Sequence, residues 1–245
     1  IGLCSQHIGD YEQAILFHEN AIYFFKQDND PFSDGLAELI TNLGNAYFRF
    51  NQIEKAAIQY ELANETYQSI YGGLEPTITN NLGLCALEMG DNQAAIRFFE
   101  KGLENLYGGR ITLSQKAKFY KNLAYAQRIN KDYKKSLKTL NSVAPEIATA
   151  KESKNEWLNI LIEKGIVLSK LGKNDAAEQT FFAADTIAKE LRIYLIDPEA
   201  RSQFQKSSVH LFRNLVAFFY KRWEETKDMQ FLEKAFIASE KSKSF

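Results

Sequence analysis

Proline is scarce in this sequence, at 4 residues, and the 13 glycines are too dispersed to make a low-complexity or disordered stretch. No apolar run approaches the roughly 20 residues that a membrane-spanning helix needs. Two cysteines, Cys4 and Cys85, cannot make a disulfide framework. The three histidines, His7, His18 and His210, are scattered without the spacing of a zinc site. The first residues, IGLCSQHIGDYEQ, have no basic n-region and no cleavage site, so a reducing, cytoplasmic home is expected. The glycine pairs Gly72-Gly73 and Gly108-Gly109 lack the Lys-Ser/Thr that completes a phosphate loop. GxSxG, HExxH and CxxC are absent too. The carboxylates of Glu224 and Glu225 are sequence neighbours on a helix and do not face one another. These absences argue against an enzyme, a metal centre and a cofactor in this segment.

What is present is an ordinary water-compatible composition. The chain has 245 residues, 45% hydrophobic and 25% charged, enough for a large core. The formal net charge of -1 conceals an asymmetry. Residues 1–109 carry 5 Lys/Arg against 15 Asp/Glu. Residues 110–140 carry 9 against 1, the one acid being Asp132. The remainder is near balance, 16 against 15.

A repeated phrase organises the chain. NLGNAYFRFNQIEKAAIQYELA starts at Asn42, NLGLCALEMGDNQAAIRFFEKG at Asn81 and NLAYAQRINKDYKKSLKTLNSV at Asn122. Each holds Asn-Leu-small, an apolar run at helical spacing, a polar break and a second amphipathic run. EKGIVLSKLGKNDAAEQTFFAA, from Glu163, is a fourth copy, and IGLCSQHIGDYEQAILFHENA opens the chain as an incomplete one. The small residues Gly2, Gly44, Gly83, Ala124 and Gly165 recur at 42, 39, 41 and 41 residues. A small residue there lets the first helix of a pair lie close on the second, at roughly 8–10 Å. Cys4 and Cys85 each stand two residues after the small residue of their copies. Two repeats apart, they are too distant to pair, and both are expected to be buried thiols.

The pattern resembles the tetratricopeptide repeat (TPR) family, most closely in GDYEQAILFHENA (9–21) and GDNQAAIRFFEKG (90–102). The resemblance implies an all-α fold: one solenoid domain over residues 1–245, a right-handed superhelix of antiparallel helix pairs. The repeats are expected near 1–25, 36–71, 75–107, 113–144, 155–190 and 199–245. Their spacing exceeds the family's usual length, and the excess is expected in longer second helices and in the loops YGGLEPT (71–77) and YGGRITL (107–113). The last copy departs further. Leu215 and Ala235 are 20 residues apart, where Leu82 and Ala95 are 13 apart. A long helix after Pro198, with an extended turn around RWEETKDMQ, accounts for the difference.

EKAFIASEKSKSF (233–245) resembles the helix that leads from TPR repeats into a caspase-like CHAT protease domain. No Gly, Asn or Pro stops it, so the expectation is that the chain continues and that any catalytic His and Cys lie downstream. The other reading is a last repeat helix with a Lys/Glu surface.

The resemblance also implies where a partner lies: along a groove lined by the first helix of each pair. Asn42, Asn81, Asn122 and Asn214 hold positions that face it in the family. An Asn amide offers two donors and an acceptor to an extended backbone; the alternative is that these residues only cap or link helices. Asn45, Arg49, Lys118, Lys121, Tyr125, Arg128 and Arg213 share that face by helical spacing. Asn45, Asn81 and Lys118 match part of the set with which some TPRs hold a C-terminal carboxylate. Thr41 and Asn122 stand where that set needs Lys and Arg, so the match is incomplete. The expected partner is a protein or extended peptide, acidic where it meets Lys118, Lys121 and Arg128. Lys134, Lys135 and Lys138 fall on the outer, second helix. The alternatives are a scaffold that associates with itself and the sensor of a bacterial signalling protein. Nucleic acid fits less well, since the protein is acidic with pI ≈ 6.4.

Overall fold

A computed structural model describes residues 10–28, 34–104, 111–150, 153–194 and 198–243. Among the described residues there are eleven α-helices and no strand. The chain divides into two compact units, Ile1–Ile111 and Thr112–Phe245. The first holds α1 (Tyr11–Asp28), α2 (Asp34–Arg49), α3 (Ile53–Tyr71), α4 (Pro76–Glu88) and α5 (Asn92–Glu104). The second holds α6 (Leu113–Ile129), α7 (Tyr133–Thr149), α8 (Lys154–Lys170), α9 (Asn174–Tyr194), α10 (Pro198–Thr226) and α11 (Met229–Lys243). The pairs α2/α3, α4/α5, α6/α7, α8/α9 and α10/α11 correspond to the sequence repeats. Among the described residues no helix is long and apolar enough to cross a membrane.

Each pair closes on its small residue. A Cβ added to Gly44 would lie 2.7 Å from the Tyr60 ring. One on Gly83 would lie 2.5 Å from Phe99, and one on Gly165 2.6 Å from Phe181. Carbon atoms in good contact are about 3.5–4.0 Å apart, so only glycine allows the aromatic of the second helix to lie flat on the first. The ring residue always follows 16 positions later. In the α6/α7 pair the two places are taken by Ala124 and Leu140, both fully buried. A smaller partner there makes room for the methyl group, and the Ser136 hydroxyl donates to the Ala124 carbonyl at 2.7 Å.

The turns inside the pairs repeat as well. Asn51, Gly90, Lys131 and Gly172 all have positive φ, between 61° and 80°. The N–H of the residue that follows each one reaches back five residues: Gln52 to Tyr47, Asp91 to Ala86, Asp132 to Gln127 and Lys173 to Leu168. That is the helix stop in which a left-handed residue satisfies otherwise orphaned carbonyls. Lys131 adopts it at a cost that glycine avoids, so Lys131→Gly is expected to stabilise unit 2 by roughly 0.5 kcal/mol, net of glycine's greater chain entropy. Urea unfolding of the variant beside the parent measures it.

Helix starts follow the sequence too. Asp10 and Asp91 accept from the backbone N–H groups of Gln13 and Ala94. Thr112 and Gln115 exchange side-chain and backbone bonds in a capping box at the start of α6. Thr112→Ala is expected to cost about 1 kcal/mol in the same assay. Gly72, in the left-handed region, stops α3 at the start of the loop YGGLEPT; the Tyr-Gly-Gly of the second loop lies outside the described residues, as does Cys4. Cys85 is fully buried, and burial with the nearby Glu88 and Glu61 carboxylates pushes its thiol up to about 12.

The last pair has the predicted extension. Helix α10 runs for 29 residues. At its far end the Arg222 guanidinium lies 4.9 Å from the Phe231 ring of α11, which stacks on Phe219. Helix α11 is tied to α9 by Lys234–Glu178 (2.6 Å) and Lys241–Asp185 (3.1 Å). Ala235 and Ala238 face inward, while Phe236 is 66% exposed.

Candidate partner-binding face

In unit 1 the first helices α2 and α4 are joined by polar side chains. The Asn45 carbonyl oxygen accepts from Tyr60 Oη at 2.8 Å and from Asn81 Nδ2 at 3.2 Å. Asn80 Nδ2 in turn donates to Asn81 Oδ1 at 3.4 Å. Asn45, Tyr60 and Asn81, with Phe48, Arg49 and Leu84, line a cleft of about 480 Å³. Both lone pairs of the Asn45 oxygen are used, so its amide N–H donors remain for a carbonyl from outside. The Tyr60 hydroxyl is held protonated: burial raises its pKa foremost, the nearby Cys85 adds to this and Arg49 opposes it. It therefore serves as the donor that orients Asn45. Asn42 is half-buried in α2.

In unit 2 the first helices α6, α8 and α10 pack successively against one another. Cross-links fix their register. Ser114 donates to Glu156 at 2.7 Å, and Ser207 donates to Asn159 at 3.0 Å. Arg128 reaches Glu163 with two nitrogens, at 2.5 and 3.3 Å. That pair is largely removed from water, with side-chain exposures of 14% and 5%. The guanidinium also lies 4.9 Å from the Tyr125 ring.

Several of the basic residues named on this face act on one another electrostatically. The pKa of Lys121 is lowered, by burial first and by Lys118, with Glu163 opposing. That of His210 is lowered by burial and then by Arg128, Lys121 and Arg213. Lys118 and Arg213 are exposed. Three of these positions are engaged or covered within the chain. Arg128 is occupied by Glu163 rather than free for an acidic partner. Asn122 is buried, at 8% exposure. Asn214 donates to the His210 carbonyl one turn back, the bond an Asn makes when its own helix is the nearest acceptor. Lys134, Lys135 and Lys138 sit exposed on α7, the second helix, as expected.

Glu163 and His210 escaped the sequence reading. Glu163 stands in the column held by Asn42, Asn81 and Asn122 in the other copies. An acid in that column, in a fold with a basic neighbour repeat, was the signal available. His210 carries no such mark.

Residues 78–105 match the family model described as a tetratricopeptide repeat. No curated protein sequence matches the chain significantly. Among solved structures, BtubC (BKLC) from P. vanneervenii is similar over 80% of each chain, at 22% identity and a TM-score of 0.69. A putative kinesin light chain with TPR-like repeats from Podosopora anserina is similar over 78% of this chain and 93% of its own, at 16% identity and a TM-score of 0.64. YrrB, described as a TPR protein with an unusual peptide-binding site, is similar over 76% of this chain and 82% of its own, at 13% identity and a TM-score of 0.52. The fold is that of tetratricopeptide-repeat solenoids, and among the described residues its regular elements are α-helices.

Proposed function

We propose that this chain is a cytoplasmic scaffold that binds a protein or extended peptide along the first-helix face of its pairs. The observation that carries the reading is the Asn45–Asn81–Tyr60 network in its cleft. It spends protein acceptors on holding the ladder and leaves amide donors outward, the arrangement an extended backbone needs. Within unit 2, basic side chains on the first-helix face suit acidic residues in a segment bound there. Asn45→Ala with Asn81→Ala is expected to weaken binding of a partner segment about tenfold while the helical circular dichroism stays unchanged. Unaltered affinity would remove the ladder from the site.

A narrower reading is that the chain is the regulatory half of a TPR-CHAT protease, with occupancy of the face communicated through α10 and α11. It is supported by the lengthened α10, by the ion pairs that couple α11 to α9, and by the likeness of residues 233–245 to that junction. Hydrogen exchange over 200–243 should slow when the face is filled. Exchange that does not change would count against the coupling.

A further inference from the structure

The register within unit 2 gathers cations at one level. From Ser114–Glu156, two turns further along both helices bring Lys121 beside Glu163. From Ser207–Asn159, one turn further brings His210 beside Ile162 and Glu163. Arg128 reaches back to the same Glu163, and Lys118 and Arg213 lie one turn to either side. Glu163 is the acid at this level, and Arg128 occupies both its oxygens. Glu156 is two turns away, engaged by Ser114. Among the described residues no hydrogen-bond acceptor is in place for the side chains of Lys118, Lys121, His210 or Arg213. Lys118, Lys121, Arg128 and Arg213, with the His210 imidazole among them, thus gather near one spent carboxylate, and Lys121 is half-buried. Crowded like charge, part of it half-buried, is unfavourable without a counter-ion, so an anion that completes the arrangement would stabilise it.

We propose that Lys118, Lys121, His210 and Arg213 hold a phosphate monoester, the side chain of a phosphorylated serine or threonine in the bound segment. The proposal rests on the reading of this face as a protein-binding surface. A carboxylate brings one charge and two oxygens, short of what the cluster offers. A phosphate monoester brings nearly two charges and three acceptor oxygens, and the donors come from two helices at different angles. A nucleic-acid diester carries a single charge per phosphate, and an acidic chain of pI ≈ 6.4 repels the rest of the strand.

The test uses the full chain and four probes: a Gly/Ser peptide with one phosphoserine, its glutamate counterpart, the unmodified peptide and a short oligodeoxynucleotide. Calorimetry reads affinity. His210, one of three histidines, reads position by NMR. Its imidazole is acted on by Arg128, Lys121 and Arg213, and a bound dianion should move its titration midpoint upward. The expected result is that the phosphopeptide binds roughly tenfold tighter than the glutamate peptide. Lys118→Ala/Arg213→Ala, at exposed positions that do not threaten folding, should abolish that preference. Equal affinity for phosphoserine and glutamate overturns the phosphate proposal and leaves the acidic-partner reading standing. Failure of every peptide to shift His210 overturns both. Preference for the oligonucleotide overturns the proposal in favour of diester recognition.

Discussion

Gly83→Ala is expected to destabilise unit 1 by about 1–3 kcal/mol, far more than an alanine normally costs inside a helix, where it is the most favourable residue. The local term favours the substitution; the packing term opposes it and wins. The new methyl group would lie 2.5 Å from the edge of Phe99, whose side chain is fully buried and has nowhere to move. The same chain shows how the clash can be relieved, because Ala124 is matched with Leu140 at the equivalent spacing. Gly83→Ala combined with Phe99→Leu is therefore expected to be less destabilised than the two single variants added together. Urea unfolding of the four proteins gives the coupling directly. Additive losses would show that the glycine is not there to seat the ring.

Removing Glu163 is expected to cost unit 2 about 3 kcal/mol in Glu163→Ala, because Arg128 then remains charged and largely out of water with Lys121 and His210 beside it. The loss does not mean that the ion pair contributes that much to folding. Desolvating two charges offsets most of their attraction, so the double replacement Arg128→Met/Glu163→Met should come close to the parent's stability. If the single and double variants lose equal amounts, the pair is a genuine net contributor and the account of the cluster as a crowded set of cations is weakened. Thermal unfolding with and without added phosphate separates the cases further. Glu163→Ala, having lost its internal anion, should gain more from phosphate than the parent does.

Much of the fold was legible because helix-pair repeats write the same physical requirement several times. Asn-Leu-small, the break and the returning Ala each mark a contact that must recur in every pair, so agreement among copies stands in for a long-range signal. The extended α10 was legible in the same way, as a break in a spacing kept elsewhere. The site was only partly legible. Helical spacing put Lys118, Lys121 and Arg128 on one stripe, but it contains no information on what the next helix sets opposite. The acid that occupies Arg128 comes from α8 and the histidine from α10, and their register depends on Ser114–Glu156 and Ser207–Asn159, pairs 42 and 48 residues apart. For the same reason the Asn column divides. Asn81 meets Asn45 across two helices, Asn214 turns back on its own helix, and Asn122 is buried. One residue type at one repeat position has three fates, decided by neighbours that the repeat does not specify.

The central claim is that partners meet the first helices and not the second. Site-specific photocrosslinking tests it most directly, with a benzophenone side chain placed at Lys118 on α6 or at Lys134 on α7, both exposed. The account predicts a discrete protein crosslinked from position 118 and not from 134, with the crosslink lost when Arg213→Glu is added. Crosslinking from position 134 to the same protein, with none from 118, would contradict it.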